Sequence, residues 1–167
     1  MAGSETDVQS AQDSVFYSQG LPGDDPHQSL RLWLRMLSCT TKIENEVRGR
    51  LRSTFGVTLP KFDLMAQLER HPKGLKMGDL SRRMMVTRGN ITGITRKLER
   101  EGLVERVANP EDRRVFSVRL TAAGRQAFRK MAKVHKMWVA EQLSGLAASD
   151  KEKLINLLSE LKQQLNR

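Results

Sequence analysis

The sequence predicts a mainly α-helical fold interrupted by one small β-hairpin, and three observations carry that prediction. From His27 onward, apolar residues recur at three- and four-residue steps over most of the chain, the period of helices with one buried face. Aromatic residues are scarce, and Leu, Met and Val supply most of the apolar content, which favours helices over a β-sandwich. One stretch, residues 103–120, instead alternates around Asn109-Pro110-Glu111-Asp112 and reads as two strands joined by a turn. At 167 residues the chain can hold one ordinary core, or a small domain with helical extensions.

Residues 1–26 are polar and acidic and end in LPGDDP, so they are expected to form a disordered arm. A long helix follows within 27–57, carrying Leu30, Trp33, Leu37, Ile43, Val47, Leu51 and Phe55 at helical steps before Gly56 stops it. At 1.5 Å per residue such a helix is about 40 Å long. One small domain cannot cover that length, so part of it should pack on another helix or subunit.

Thr58 opens a second helix that tolerates Pro60 in its first turn. Its stripe is Phe62, Met65 and Leu68, and His71-Pro72 ends it. A short helix, about Gly78 to Met84, is pinned by Leu80 and Met84. The next runs over 87–101, with Thr87 as N-cap, Gly102 as stop, and Ile91, Ile94 and Leu98 as a narrow buried stripe. Leu103 to Val107 and Arg114 to Leu120 form the hairpin. Thr121 caps a helix from about Ala122 to Leu146, with Phe128, Met131, His135 and Trp138 on one side. The last helix starts at Ser149-Asp150-Lys151-Glu152, a capping box, and its seam is Leu154, Leu157, Leu158, Leu161 and Leu165.

The net charge is +10, and it is unevenly placed. Residues 1–28 carry −5, residues 29–72 carry +4, residues 73–129 carry +8 and residues 130–167 carry +3. A basic centre can face nucleic acid, an anionic membrane or solvent. The single cysteine, Cys39, excludes an internal disulfide and a Cys-based zinc site. With no signal peptide, it points to a reducing cytoplasm, and the Asn90-Ile91-Thr92 sequon then carries no meaning. No apolar run approaches the roughly 18 residues of a membrane span.

The helices at 78–84 and 87–101 are separated by only a residue or two, which forces a sharp angle and resembles a helix-turn-helix. Away from the apolar stripe of the second helix lie Arg88, Gly89, Asn90, Thr92, Gly93, Arg96 and Lys97, with Thr87 at its start. Arginine can pair with both major-groove acceptors of guanine, and asparagine with the acceptor and donor of adenine. Gly89 and Gly93 lie one turn apart on the exposed side, where glycine weakens a helix by about 1 kcal/mol relative to alanine. Close approach to a groove or phosphate would explain them, and so would tolerance of a loose surface helix. Arg82, Arg83 and Arg100 are placed to touch phosphates. A basic helix face is ordinarily just solvated, but the hairpin that follows carries two arginines at its turn, a winged arrangement. Arginine at a loop tip suits a narrow minor groove.

RRMMVTRGNITGITRKLEREGLVERVANPEDRRVFSVRLTAAG resembles the winged helix-turn-helix core of the MarR family of bacterial transcriptional regulators. The most specific piece is NPEDRRVFSVRLTAAG, similar to that family's wing signature. The resemblance covers roughly residues 28–166. It implies a homodimer held by the N- and C-terminal helices, with two lobes that bind double-stranded DNA. The organisation becomes an acidic arm (1–26), an N-terminal helix that dimerises and walls a ligand pocket (27–57), a DNA-binding domain (58–121) and C-terminal dimerisation helices (122–167). Asp112 would brace the wing by an ion pair while Arg113 or Arg114 enters the minor groove; the sequence leaves open which.

The resemblance further implies a small-molecule effector, an aromatic acid or its coenzyme A thioester, as in control of aromatic-compound catabolism. Its site would be lined by Trp33, Met36, Phe62, Met65 and His71, with Arg31 or Arg35 meeting the anion. Trp33 and the methionines are more often plain core or dimer interface. Redox sensing through Cys39 is an alternative, although a free cysteine is more often a buried small hydrophobe. So is an architectural DNA-binding protein without an effector. His27, His71 and His135 share no metal-ligand spacing, and no Walker loop, nucleophile elbow or HExxH is present. No enzyme, cofactor or membrane partner is expected.

Overall fold

The computed structural model describes residues 25–108 and 116–166. Six helices and three strands follow in order: α1 (Pro26–Phe55), α2 (Leu59–Glu69), β1 (Leu75–Lys76), α3 (Met77–Met84), α4 (Arg88–Arg100), β2 (Val104–Ala108), β3 (Phe116–Leu120), α5 (Ala122–Gln142) and α6 (Ala148–Leu165). Two compact units divide at Glu44/Asn45, within α1.

The first unit ends in the N-terminal part of α1. Its start has a local cause: the Asp25 carboxylate accepts from the His27 amide at 2.9 Å, and Pro26 fills the first helical position, where a missing N–H costs nothing. Leu30, Leu32, Trp33, Leu34 and Leu37 are all exposed here, and Cys39 is exposed as well. The packing role expected of a free cysteine is therefore not filled.

The second unit holds the core. Val47 and Leu51 from the end of α1, Leu64, Met65 and Leu68 from α2, Leu80 from α3 and Ile91 and Leu98 from α4 close around Val104, Val118 and Leu120 of the sheet. Each such side chain contributes about 1.5–3 kcal/mol by leaving water. Outside this centre, Arg50 lies 2.6 Å from Glu141 and 2.7 Å from Glu46, with its guanidinium 6.0 Å from the Trp138 ring centre. The hydrogen bond to Glu141, then that to Glu46, raises the Arg50 pKa, and Arg50 in turn holds the Glu141 carboxyl below its ordinary value. Glu69 of α2 meets Arg129 of α5 at 2.9 Å and Arg125 at 3.8 Å.

The sheet has the order β1-β3-β2, antiparallel throughout. The hairpin pairs Val104 with Leu120 through Ala108 with Phe116. Strand β1, absent from the sequence-based expectation, pairs Leu75 with Val118 and Lys76 with Ser117. Two residues are too few to show an alternating pattern.

Three further expectations need correction. The buried stripe of α4 is Ile91, Thr95 and Leu98, while Ile94 is half-buried. Thr95 is fully buried and its hydroxyl faces the Met77 sulfur at 3.9 Å, so a polar residue holds the position that hydrophobicity would give to its neighbour. Helix α5 stops at Gln142 rather than Leu146, just before Ser144-Gly145. The capping box at Ser149 does not form: Ala147 is the N-cap, without a side-chain bond, and α6 starts at Ala148. Asp150 instead lies in the first turn, where its charge suits the positive end of the helix dipole.

Candidate nucleic-acid interface

Between α3 and α4 the chain turns in three residues. Met85 adopts a left-handed conformation (φ 53°), and its amide donates to the Arg82 carbonyl at 3.3 Å. Val86 is held twice by one residue: its amide donates to the Ser81 carbonyl at 3.2 Å, and the Ser81 hydroxyl donates to the Val86 carbonyl at 2.6 Å. Thr87 then caps α4 as expected, its hydroxyl oxygen accepting from the Asn90 amide at 3.4 Å. A sharp turn and a capped start fix the direction of α4, which makes this pair a helix-turn-helix.

The far end of α4 is fastened more heavily. Lys61 of α2 pairs with Glu101, and Arg106 of β2 lies 3.3 Å from Glu99. Gly102 takes the left-handed conformation (φ 69°) that ends helices without a Cβ penalty. The Thr121 hydroxyl donates to the Gly102 carbonyl at 2.7 Å and accepts from the Gly124 amide at 3.0 Å. The helix, the sheet and the start of α5 therefore meet at one joint.

The outward face of α4 differs from this fastened end. Arg88, Gly89, Asn90, Gly93, Arg96, Lys97 and Arg100 are exposed, as are Thr87, Arg82 and Arg83. Thr92 is half-buried, and its hydroxyl donates back to the Arg88 carbonyl at 2.9 Å. A Cβ added at Gly89 or Gly93 would meet nothing within 4 Å, so nothing inside the chain requires glycine there. Between Lys73 and Ala108 the acids are Asp79, Glu99, Glu101 and Glu105. They pair with Arg82, Arg106, Lys61 and Arg119. Arg83, Arg88, Arg96, Lys97 and Arg100 enter no salt bridge with a described residue. The acids of this stretch are thus engaged in architecture, and among the described residues the cations of the outer face are left uncompensated.

Asp112, Arg113 and Arg114 lie outside the described residues, whose last hairpin rung is Ala108 with Phe116. The residues expected around an effector belong to both units. Arg31, Trp33 and Arg35 are exposed and Met36 half-buried on α1; Arg31 and Arg35 line a shallow depression with Asp25, Gln28 and Leu32. In the second unit Phe62 and Met65 are core residues. The Phe62 ring centre stands 5.4 Å from that of Phe128 and 4.8 Å from that of His135, and burial lowers the His135 pKa. His71 Nδ1 lies 2.8 Å from the Gln67 carbonyl oxygen.

Known proteins share this arrangement. A family model described as MarR matches residues 57–116, from just before α2 to the first residue of β3. The crystal structure of a MarR family transcriptional regulator from Silicibacter pomeroyi is 31% identical, with a TM-score of 0.72 over 85% of this chain and 99% of that one. The chain belongs to the MarR family of transcriptional regulators. Among MarR-type relatives, the HTH-type transcriptional repressor MdtR of Bacillus subtilis is 30% identical over 108 residues, 65% of this chain and 69% of the relative. Streptococcus pneumoniae FabT, solved in complex with DNA, is 25% identical, with a TM-score of 0.69 over 83% of this chain and 97% of that one. As in those MarR folds, a small antiparallel sheet forms the wing of a mostly helical molecule. Among the described residues no helix is long and apolar enough to cross a membrane, and no cluster of His, Cys, Asp or Glu could hold a metal ion.

Proposed function

We propose that this MarR-family regulator acts as a homodimeric repressor, docking the outer face of α4 in the major groove of a pseudo-palindromic operator. The uncompensated cations around Asn90 carry the reading. Phosphates attract such a face through release of their counterions, and its Arg and Asn side chains suit base edges. Two copies of α4 would occupy successive major grooves about 10 bp apart. Arg82, Arg83 and Arg100 would lie along the phosphates, and Asp112, Arg113 and Arg114 would complete the wing contact in the minor groove. The dimer would be closed by α6 and the N-terminal part of α1, whose apolar side chains are exposed. The protein would work in the cytoplasm, without catalysis or cofactor.

A DNA duplex selected by the protein from a random library tests the reading. Arg88→Ala or Asn90→Ala should relax the preference for the selected duplex over random DNA by about 1–3 kcal/mol per lost bidentate contact. Full discrimination in both variants would remove α4 from base reading. Arg113→Ala with Arg114→Ala should weaken binding and shallow its salt dependence by up to about two contacts' worth of slope. An unchanged salt slope would remove the wing from the interface.

The effector in this reading is a small anionic aromatic compound, an aromatic acid or its coenzyme A thioester. The exposed Arg31 and Arg35 line one shallow depression and supply cations for the anion. Such a ligand would favour a dimer whose lobe spacing no longer matches the operator. A ligand that binds the folded protein raises its melting temperature, so a thermal-shift screen across such compounds, followed by operator release, identifies it.

A further inference from the structure

Resting on the proposed DNA-binding reading, we infer that Met85 is an apolar DNA-contact residue: its side chain packs against C–H surface of the duplex, a thymine 5-methyl or a deoxyribose, between the phosphate contacts that flank it. Met85 is the most exposed large apolar side chain among the described residues, at 94%. It is also the described non-glycine residue with positive φ, a conformation that costs a side-chain-bearing residue energy and that glycine adopts freely. The turn itself is closed by backbone and Ser81 bonds, so the fold uses the Met85 backbone and leaves its side chain in water. A residue that is both strained and unburied points to a role outside the free chain.

The surroundings say what that role is. Arg82 and Arg83 precede Met85 and Arg88 follows it, all exposed, and Thr87 starts the helix whose N-terminal residues read bases in this motif. A methionine ringed by cations is poorly suited to an apolar protein surface, because burying the face would desolvate the arginines. On DNA the same arginines meet phosphates, and the duplex offers apolar groups between them. Methionine, flexible and polarizable, adapts to such a surface.

The test compares wild type, Met85→Gly and Met85→Leu on the selected duplex, on random DNA, and on the selected duplex made with deoxyuridine in place of thymidine. Met85→Gly should bind the selected duplex about tenfold more weakly, while its Tm stays equal or rises by up to about 3 °C as the left-handed strain is relieved. Its affinity ratio to wild type should be constant between about 50 mM and about 200 mM salt, because the lost contact is uncharged. Met85→Leu should retain wild-type affinity. If the thymine methyl is the partner, deoxyuridine DNA weakens wild type to the Met85→Gly level; if deoxyribose is, the substitution changes nothing. Wild-type affinity in Met85→Gly overturns the inference, as does equal loss in Met85→Leu. Failure of wild type itself to prefer any selected duplex overturns the DNA-binding reading instead.

Discussion

Gly124→Ala is expected to destabilise the protein by about 3 kcal/mol or more, lowering Tm by about 6–12 °C in a thermal melt. Gly124 sits in the first turn of α5 and is buried. A Cβ built there would stand 1.9 Å from the Leu103 carbonyl oxygen and 2.8 Å from its carbon, against an ordinary C···O contact of about 3.3–3.6 Å. Moving more than an ångström is not open to Leu103. Its carbonyl accepts from the Thr121 amide at 3.1 Å and its amide donates to the Leu98 carbonyl at 2.9 Å. Yielding would break the joint that holds the end of α4 to the sheet and to α5, so DNA binding should weaken as well. Gly89→Ala provides the contrast, since its Cβ meets open space on an exposed helix and should stabilise by about 1 kcal/mol through helix propensity alone. A wild-type melting curve for Gly124→Ala would show that α5 does not approach Leu103 this closely.

Thr121 and Gly124 also show what the sequence makes legible. Thr121 was readable as a cap because capping needs only a hydroxyl one residue before a helical pattern, and the structure places it there. Thr87 is readable for the same local reason, and Gly102 because a glycine just past the last periodic residue takes the left-handed stop. The reason for Gly124 was not, because it lies in the carbonyl of Leu103, across the joint. The exposed face of α4 was legible because a 3.6-residue period divides a helix into two sides. Its interior is not legible at Thr95, where burial follows the shape of the α3–α4 packing rather than hydrophobicity. The ion pair Lys61–Glu101 joins residues 40 apart in sequence, Arg106–Glu99 joins a helix to the following strand, and charge composition does not say which acids are engaged. Phe62 and Met65 are legible as the apolar stripe of the second helix, and the structure places both in the core. Periodicity reports which side of an element faces inward, but not what it meets there.

The other large effect concerns α6. Leu154→Glu combined with Leu158→Glu is expected to convert the proposed dimer to a folded monomer, lowering operator affinity by about 10²–10⁴-fold as the second half-site is lost. No residue of α6 is buried, yet Leu154, Ile155, Leu157, Leu158 and Leu165 all stand exposed along 18 residues. A soluble chain rarely leaves such a contiguous apolar surface uncovered. A two-fold partner presenting the same surface would cover it, since an isologous contact is self-complementary. Leu154 and Leu158 are one turn apart and share a face, so two glutamates there would put four carboxylates into the contact. Neither leucine is buried within one chain, so the monomer loses little packing and should keep its helical spectrum. Sedimentation should then report a dimer for wild type and a monomer for the variant, with binding to a single half-site retained. A variant that stays dimeric with full operator affinity would place the subunit contact elsewhere. A monomeric wild type would remove it altogether.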